Sequence, residues 1–330
     1  MRTKHYDILG IAAPFVDHII RVEESFLDTI NGGKGGMVVV DYDTLSHILN
    51  TAGGDATRSI GGSAANTIKG LAHFGRSCAL FGKIGRDPMG AYFLESATDL
   101  GIVSLYKTTA TPTGQVACLV TPDGERTMRT FLGSGTEVVT EDLDPGIFQG
   151  TRLVHIEGYS LFYGDLVERA AEMAKDAGAM VSIDLASYEL VKQFHDRIIS
   201  LLYGYVDVVI ANADETWALT GLPPERGCSV LKDICKTAVV LFGADGCWVG
   251  RGNELIHGPA FPAHPIDTTG AGDLFAAGFL HGYLQGHSLE ECARYGALTG
   301  AAVVEVLGTE IPPVVWEKIH KSIEKSTSLR

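Results

Sequence analysis

From Arg152 onwards, short apolar runs of strand length alternate with longer segments whose apolar residues recur at helical spacing. Parallel neighbouring strands need a long crossover, usually a helix, so this alternation predicts a mostly parallel sheet with helices on both faces. The predicted strands are Leu153–Ile156, Met180–Leu185, Val206–Ala211 and Ala238–Phe242, with a hairpin at Trp248–Ile256. The predicted helices are Leu166–Ala177, Tyr188–Leu202, Glu215–Thr220, Gly272–Gln285, Leu289–Leu307 and Val314–Lys325, with a capping box at Ser288–Glu291.

The first half of the chain follows this pattern only in part. A strand at Asp7–Ile11, a helix at Ala64–Phe74, a strand at Cys78–Ile84 and a helix at Met89–Leu100 fit the alternation. Two glycine-rich β stretches, roughly 16–60 and 103–135, do not fit it, and the second contains a hairpin around Pro122–Glu125. We expect them to form a small β sheet beside the main sheet. Since no repeat or linker divides the chain, we expect residues 1–330 to form a single domain.

Charge and cysteine usage exclude several classes of protein. The chain carries 26 Lys+Arg against 40 Asp+Glu, a formal charge of −14. That balance argues against a protein that coats nucleic acid but not against one that binds a small phosphate. The six cysteines are dispersed without metal-ligand spacing, and no apolar run is long enough to cross a membrane. We therefore expect a cytoplasmic protein with reduced thiols and no nucleic-acid or membrane partner.

The most informative motif is Asp267–Asp273, with the sequence DTTGAGD, at the start of a predicted helix. Free amides at a helix N-terminus bind anions, and Gly270 and Gly272 allow the backbone to approach a phosphate closely. A carboxylate beside an anion site is unfavourable for binding, but Asp273 becomes useful if it removes a proton from a hydroxyl as a phosphoryl group arrives. An ordinary glycine-rich helix start remains open at this stage.

Three further sites carry polar residues beside turns. Gly61–Asn66 (GGSAAN) begins the helix at Ala64–Phe74 and presents Asn66 to a polyol, and Asp17 follows the first strand. Asn212–Glu215 (NADE) closes a predicted parallel strand, where α/β proteins bind ligands, and Glu215 is suited to hold Mg²⁺ through water. Gly243–Gly246 follows another strand and is a candidate border of a nucleotide pocket. Each has a plain turn or helix cap as its alternative. Walker, dinucleotide and nucleophile-elbow motifs are absent.

Together, DTTGAGD, GGSAAN and NADE in this order resemble the signatures of the PfkB/ribokinase family of carbohydrate and nucleoside kinases. Thr127–Gly133 and His155–Gly158 look most like its bacterial adenosine-kinase-type branch. The resemblance implies a three-layer α/β/α domain whose small sheet is a lid, together with ATP and Mg²⁺. It implies Asp273 as catalytic base, Gly270, Ala271 and Gly272 as the anion hole, and Asp17, Gly62 and Asn66 on substrate hydroxyls. It further implies Asn212 and Glu215 on the phosphate–Mg²⁺ side, Gly243 and Gly246 beside ATP, and Asp267 and Thr269 at a monovalent-cation site, K⁺ in some members.

The substrate expected from this resemblance is a ribosyl nucleoside, with adenosine the leading candidate, phosphorylated on its exocyclic CH₂OH. A nucleobase needs apolar lid surface, for which Phe15, Met37, Phe131 and Leu132 are candidates. A free-sugar or sugar-phosphate kinase stays open because Arg126 and Arg129 lie in the predicted lid, and because Ala12-Ala13 stands where many relatives have Gly-Asn. Two functions of different classes also stay open, a non-catalytic nucleoside or sugar sensor and a nicotinamide-dependent dehydrogenase. Either a monomer or a homodimer paired through the lid edge fits the sequence.

Overall fold

The computed structural model of the protein describes residues 5–53 and 56–327. Its strands are β1 (Ile8–Ile11), β2 (Phe15–Arg21), β3 (Met37–Val39), β4 (Thr57–Gly61), β5 (Cys78–Phe81), β6 (Lys83–Gly85), β7 (Val103–Ser104), β8 (Lys107–Thr109), β9 (Gly114–Val120), β10 (Arg126–Phe131), β11 (Leu153–Glu157), β12 (Met180–Asp184), β13 (Val208–Asn212), β14 (Thr237–Leu241), β15 (Cys247–Arg251) and β16 (Glu254–Gly258). Its helices are α1 (Glu24–Leu27), α2 (Tyr42–Thr51), α3 (Ser63–His73), α4 (Pro88–Asp99), α5 (Leu166–Asp176), α6 (Tyr188–Gln193), α7 (His195–Gly204), α8 (Ala213–Thr220), α9 (Pro224–Ile234), α10 (Ala271–Gln285), α11 (Leu289–Val303) and α12 (Pro313–Thr327).

The large sheet has the strand order β16-β15-β14-β13-β12-β11-β1-β5-β7. Neighbours from β14 through β7 run parallel, and β15 and β16 extend that edge as an antiparallel hairpin. Buried apolar residues of α5, α6, α7 and α9 pack on one face of the sheet, and those of α3, α4, α10 and α11 pack on the other. The predicted three-layer α/β/α architecture with a mostly parallel sheet is confirmed.

The small sheet has the order β3-β10-β9-β2-β4 and is built from residues 15–61 and 114–131. Its second segment is shorter than the predicted 103–135, because β7 belongs to the large sheet and β8 pairs with β6. The first stretch also contains α2, which the sequence analysis missed. That helix is capped by Asp41 and buries Leu45 and Ile48 against the sheet. Residues 54 and 55, within the predicted range 16–60, lie outside the described residues.

Three other predicted elements had wrong boundaries, and one further helix was missed. The segment 188–202 is two helices that meet at Phe194, whose ring packs edge-on against Phe162. Cys78–Ile84 divides into β5 and β6, which lie in different sheets. Helix α9 was missed, although Pro224 is at its first position, where a helix tolerates proline. Helix α11 ends at Val303, short of Leu307, and its predicted capping box is present.

The six cysteines are buried and form no disulfide, so they pack as small apolar side chains, as predicted. Across residues 5–53 and 56–327, every helix is too short or too polar to cross a bilayer.

Candidate active site

A cavity of about 970 Å³ lies between the two sheets, at the carboxyl ends of the parallel strands. Residues at or just beyond the ends of five strands line it: Ala13, Glu157, Asp184, Asn212 and Leu241. This edge of a parallel α/β sheet is where such proteins bind ligands. The small sheet forms the opposite wall, so a ligand in the cavity would be covered by both sheets.

The start of α10 forms one end of the cavity. Gly270 caps the helix in the left-handed conformation with φ 72°, which glycine adopts without strain. A Cβ at Gly270 would lie 2.7 Å from the Thr309 methyl, so the position is also crowded. Gly270, Ala271 and Gly272 all line the cavity, as an anion hole requires. The Ala271 amide donates to the Thr268 carbonyl at 3.2 Å in this structure.

Asp273 lies in the first turn of α10 and is held by two side chains of α3. Ser63 Oγ donates to its Oδ1 at 2.8 Å, and Asn66 Nδ2 donates to its Oδ2 at 2.9 Å. Burial raises the pKa of Asp273 to about 6, while the bonds from Asn66 and Ser63 and the Lys69 ammonium act in the opposite direction. The structure therefore brings the two glycine motifs together around one carboxylate, which is largely ionised at neutral pH.

Asp17 lines the cavity from the small sheet, on the other side from Asp273. It is part of strand β2, whereas the sequence suggested a loop after the first strand. Burial raises its pKa to about 6; Lys69 and Arg126 lower it, and Glu310 and Asp273 add to the rise. The carboxylate lies directly over Gly61 in the neighbouring strand. A Cβ at Gly61 would be 2.3 Å from Asp17 Oδ2, so the position must be glycine for Asp17 to keep this orientation.

Gly62 connects β4 to α3 and lines the cavity. Its φ is 105°, and a Cβ there would lie 2.6 Å from the Ala13 carbonyl oxygen, so both backbone conformation and space require glycine. Asn66 is one turn further along α3. Its Oδ1 accepts a bond of 3.2 Å from Thr309, and its Nδ2 donates to Asp273. Since an amide nitrogen carries two hydrogens, one remains for a second acceptor.

Glu157 is a buried carboxylate within His155–Gly158, a segment that was noted from the sequence for its family resemblance and to which no site role was assigned. It accepts hydrogen bonds from the Ala13 amide at 2.9 Å and from the Ala64 amide at 3.0 Å. Burial raises its pKa to about 7, and the nearby Asp273 adds to the rise. Glu157 thereby ties the end of β1 to the first turn of α3. Its position at the carboxyl end of a parallel strand was the available signal.

Asn212 and Glu215 form a reciprocal capping box at the start of α8. The Asn212 side chain accepts from the Glu215 amide at 2.9 Å, and the Glu215 carboxylate accepts from the Asn212 amide at 2.8 Å. Burial raises the pKa of Glu215 to about 7. Asp184, also missed from sequence, has its pKa raised by burial and then by the Glu215 and Asp273 charges. All three side chains line the cavity, so an acidic region lies beside Asp273.

Gly243 and Gly246 form the turn between β14 and β15 and do not contribute to the lining of the described cavity. Gly246 has a φ of 92°, and a Cβ there would be 2.1 Å from the Gly258 carbonyl oxygen. The turn itself therefore requires glycine at position 246, without any contact to a ligand. Leu241 is the residue of this strand that reaches the cavity.

Asp267 and Thr269 are engaged by an arginine of the small sheet. The Arg126 guanidinium forms an ion pair of 2.8 Å with Asp267 and also donates to Thr269 Oγ1. The Asp267 carboxylate further accepts bonds from the Thr269 amide at 2.7 Å and from the Gly308 amide at 2.6 Å. Arg126 therefore supplies positive charge where the sequence suggested a monovalent cation.

Alternation along β10 decides which small-sheet residues face the cavity. Arg126, Met128 and Thr130 line it, as does Leu132 just beyond the strand. Phe15 and Met37 line it as predicted, but the expectation for Phe131 was wrong because its ring packs on Tyr42 on the opposite face.

Arg129 also points away from the cavity. It is fully buried and donates to the carbonyls of Asn31, Met128 and Gly33, which leaves it unavailable to a substrate phosphate.

An aromatic segment lines the cavity from the large-sheet side. Tyr159, Phe162 and Tyr163 follow β11, and Phe162 is 51% exposed. Arg197 fixes this segment by donating to the carbonyls of Leu161 and Gly164. The cavity therefore has apolar surface on both walls, from this segment and from the small sheet.

Comparison with known proteins identifies the family. The profile described as "pfkB family carbohydrate kinase" matches residues 36–316. The crystal structure of adenosine kinase from Sinorhizobium meliloti superposes with a TM-score of 0.86 at 33% identity, covering 97% of this chain and 99% of that chain. Adenosine kinase 1 of Arabidopsis thaliana is 24% identical over 92% of this chain and 96% of its own length. An ATP-dependent ribose-1-phosphate kinase of Halopiger xanaduensis is 29% identical over 83% of this chain and 92% of its own. These matches confirm the family predicted from the motifs, and the protein belongs to the pfkB family of carbohydrate kinases.

Proposed function

We propose that this nucleoside or sugar kinase transfers the γ-phosphoryl group of ATP to the exocyclic CH₂OH of a ribosyl nucleoside, with adenosine as the leading candidate. The observation that carries the proposal is the Asp273 carboxylate, held by Ser63 and Asn66 at the start of α10 and facing Asp17 across the cavity. A fixed base beside a helix N-terminus is the arrangement that deprotonation of an alcohol during phosphoryl transfer requires.

In this proposal Asp273 accepts the proton of the CH₂OH group as its oxygen attacks the phosphorus. A base with a pKa of about 6 is ionised at pH 7 and basic enough to take that proton. Gly270, Ala271 and Gly272 form the anion hole, where the helix dipole and backbone amides stabilise the transferring group. For the Ala271 amide to take part, its bond to Thr268 must open.

The nucleotide is expected on the acidic side of the cavity. Burial raises the pKa values of Asp184 and Glu215, the Glu215 and Asp273 charges add to the rise at Asp184, and Asp214 adds to the rise at Glu215; a divalent metal bound here would offset this concentration of negative charge. Among the described residues no three His, Cys, Asp or Glu side chains form a cluster able to hold a metal. We therefore expect Glu215 to hold Mg²⁺ through water, with Asn212 beside it. The bound metal would neutralise charge on the phosphates. Gly243 and Gly246 do not line the cavity, so we expect them to contact ATP only where the nucleotide extends beyond it.

On the substrate side, Asp17 is expected to accept hydrogen bonds from vicinal hydroxyls of the ribose. The second hydrogen on Asn66 Nδ2 and the backbone of Gly62, which lines the cavity, complete this set. The small sheet acts as the lid that excludes water from the reaction.

The apolar walls favour a nucleoside over a free sugar. A free pentose has hydroxyls on nearly every carbon and gains little from Phe162, Leu132 and Met37, whereas the flat aromatic faces of a nucleobase can pack against them. The S. meliloti structure of an adenosine kinase supports the same choice. We expect Phe162→Ala to raise KM for adenosine while leaving turnover of ribose unchanged. Tyr203→Ala, which removes an exposed aromatic residue outside the cavity, is the matched control.

A sugar-phosphate kinase is the second candidate, because the H. xanaduensis relative acts on a ribose phosphate. Its substrate would need a cation in the lid. Arg126 is the lid arginine that lines the cavity, and its guanidinium is already paired with Asp267. Use of a phosphorylated sugar would require Arg126 to exchange partners, which disfavours this substrate.

The deciding experiment is ADP release over a panel of nucleosides, free sugars and sugar phosphates with ATP and Mg²⁺, with and without K⁺. Adenosine is expected to give the highest kcat/KM. Asp273→Asn should lower kcat by about 10²–10⁴ with little change in substrate Kd, as loss of a general base does. Ligand binding without ADP release would indicate a sensor, and near-wild-type turnover of the variant would exclude Asp273 as the base.

A further inference from the structure

Lys69 is a buried cation on the helix that also carries Asn66. Its side chain is only 4% exposed. The ammonium donates to the Ile60 carbonyl at 2.6 Å, to Thr309 Oγ1 at 3.1 Å and to Glu310 Oε1 at 2.5 Å. Glu310 is half-exposed, so the ion pair runs from the interior to the surface. A buried lysine with three acceptors is costly to desolvate and calls for an explanation beyond packing.

Two of the three acceptors of Lys69, Ile60 and Thr309, adjoin elements of the candidate active site. Ile60 directly precedes the Gly61–Gly62 junction between the small sheet and α3. Thr309 Oγ1 in turn donates to Asn66 Oδ1 at 3.2 Å, and Asn66 Nδ2 donates to Asp273 at 2.9 Å. The Thr309 methyl also packs against Gly270. A continuous path of hydrogen bonds therefore leads from the ammonium to the catalytic carboxylate.

The charges around Asp273 are predominantly negative. Asp17 from β2, Glu157 from β11 and Asp184 from β12 all interact with it electrostatically. Lys69 from α3 is the cation that acts on Asp273, and it acts on Asp17 as well.

Three more charged groups lie near Lys69 or near the Asp17 and Asp273 carboxylates, and one of them, Glu310, is the ion-pair partner of Lys69 at 2.5 Å. Arg126 acts on Asp17 but is paired with Asp267, Glu310 approaches from the loop after α11, and His73 lies one turn beyond Lys69. Lys69 is thus the positive charge best placed to favour the ionised base.

We propose that Lys69 is a positioning residue for the phosphoryl transfer: its ammonium fixes Thr309 and Asn66 behind Asp273 and keeps the base ionised at neutral pH. The inference rests on the proposed function, in which Asp273 is the base. Lys69 itself contacts no substrate. Its effect reaches the reaction through Asn66 and through the electric field at the carboxylate.

The test is the pH dependence of kcat for adenosine phosphorylation by the full chain carrying Lys69→Met, a side chain of similar length without charge. Loss of an opposite charge raises the pKa of a nearby carboxylate, and because Lys69 acts on Asp273 less than burial and the bonds from Asn66 and Ser63 do, we take the low end of that effect, about one unit. The acid limb of the kcat profile should therefore move up by about one pH unit. Starting from a pKa of about 6 for Asp273, turnover should fall about fivefold at pH 6 and about twofold at pH 7. If Lys69→Met does not fold, Lys69→Gln, which retains a donor for Ile60, takes its place.

Three control variants separate the possible causes. Lys69→Arg keeps the charge, so its acid limb should stay in place. Thr309→Val breaks the hydrogen-bond path but keeps the ammonium, so kcat should fall without a shift of the limb. Lys232→Met removes a lysine with a buried stem, 12% exposed, far from the cavity, and should leave both quantities unchanged.

The outcomes distinguish this inference from the proposed function. If Asp273→Asn abolishes turnover but the acid limb of Lys69→Met stays at the wild-type position, the role of Lys69 is refuted and the function stands. If Asp273→Asn remains active, the proposed function fails first. A limb that moves equally in Lys69→Met and Lys232→Met would reflect general loss of stability and would also overturn the inference.

Discussion

Gly61→Ala should damage substrate binding without damaging the fold. The added Cβ would lie 2.3 Å from Asp17 Oδ2, 2.8 Å from its Cγ and 2.9 Å from its Oδ1, so the carboxylate must rotate away. Gly61 lies at the end of β4 without a positive φ, so alanine is accommodated by the backbone itself. The substitution therefore acts on the orientation of Asp17 and on little else.

The magnitude follows from the hydrogen bonds that Asp17 is proposed to accept. A hydrogen bond to a charged group contributes about 1.5–3 kcal/mol, and each 1.4 kcal/mol corresponds to tenfold in affinity. We expect KM for the phosphoryl acceptor to rise about 10- to 100-fold. Since Ser63 and Asn66 still hold Asp273, kcat should change by less than about threefold.

The assay is steady-state ADP release at saturating ATP, with varied adenosine, for wild type, Gly61→Ala, Asp17→Asn and the double variant. If the alanine acts through Asp17, the double variant should be no worse than Asp17→Asn alone. Gly204→Ala is the matched control, because a Cβ there meets nothing within 4 Å and φ is not positive. A KM for Gly61→Ala within twofold of wild type, or additive losses in the double variant, would refute the reasoning.

Three further outcomes are expected. Burial raises the pKa of Asp273 to about 6, so the carboxylate takes up a proton as the pH falls through that value. We therefore expect kcat, measured from pH 5 to 8, to decline on the acid side and not on the alkaline side. Because Arg126 already pairs with Asp267, K⁺ should change the kcat of the wild type by less than about twofold. The Arg126→Met variant, which lacks this guanidinium, should be activated by K⁺. Strong activation of the wild type by K⁺ would contradict this expectation. Arg129→Met removes the donors to the carbonyls of the exposed residues Asn31 and Gly33, which water can still solvate. Since an intramolecular hydrogen bond contributes about 0.5–1.5 kcal/mol net, denaturant titration should show a loss of roughly 1–3 kcal/mol in the free energy of unfolding.

The large sheet could be predicted because its pattern is local. Buried parallel strands such as residues 208–211 are continuous apolar runs, and most of the helices between them have apolar residues at helical spacing, although α9 was missed. The short helix Tyr42–Thr51 was missed because it follows Met37–Val39 in a glycine-rich stretch whose pattern indicated β structure throughout. Its Asp41 cap and the buried pair Leu45 and Ile48 were the signals available.

The candidate site was predictable only where its residues cluster in the chain. Asp273 and Asn66 lie in recognisable motifs, and the fold brings them within 2.9 Å. Glu157 and Lys69 lie within ordinary strand and helix sequence, and their role depends on partners such as Ala13 and Thr309 that are far away in the chain. The orientation of Phe131 could not be chosen without the register of β10, because a shift of one residue exchanges the two faces of a strand.

The pairing within the small sheet has a consequence for how the chain folds. Its central strand β9 pairs with β2 on one side and with β10 on the other, and Asp17 in β2 lies opposite Val116 in β9, so partners from distant parts of the chain must meet. Until β9 has been synthesised, β2 has an unpaired edge, and closing so long a loop is slow. We therefore expect the small sheet to assemble after the core around β1 and α3. Exchanging it between relatives would require transplanting both of its segments together.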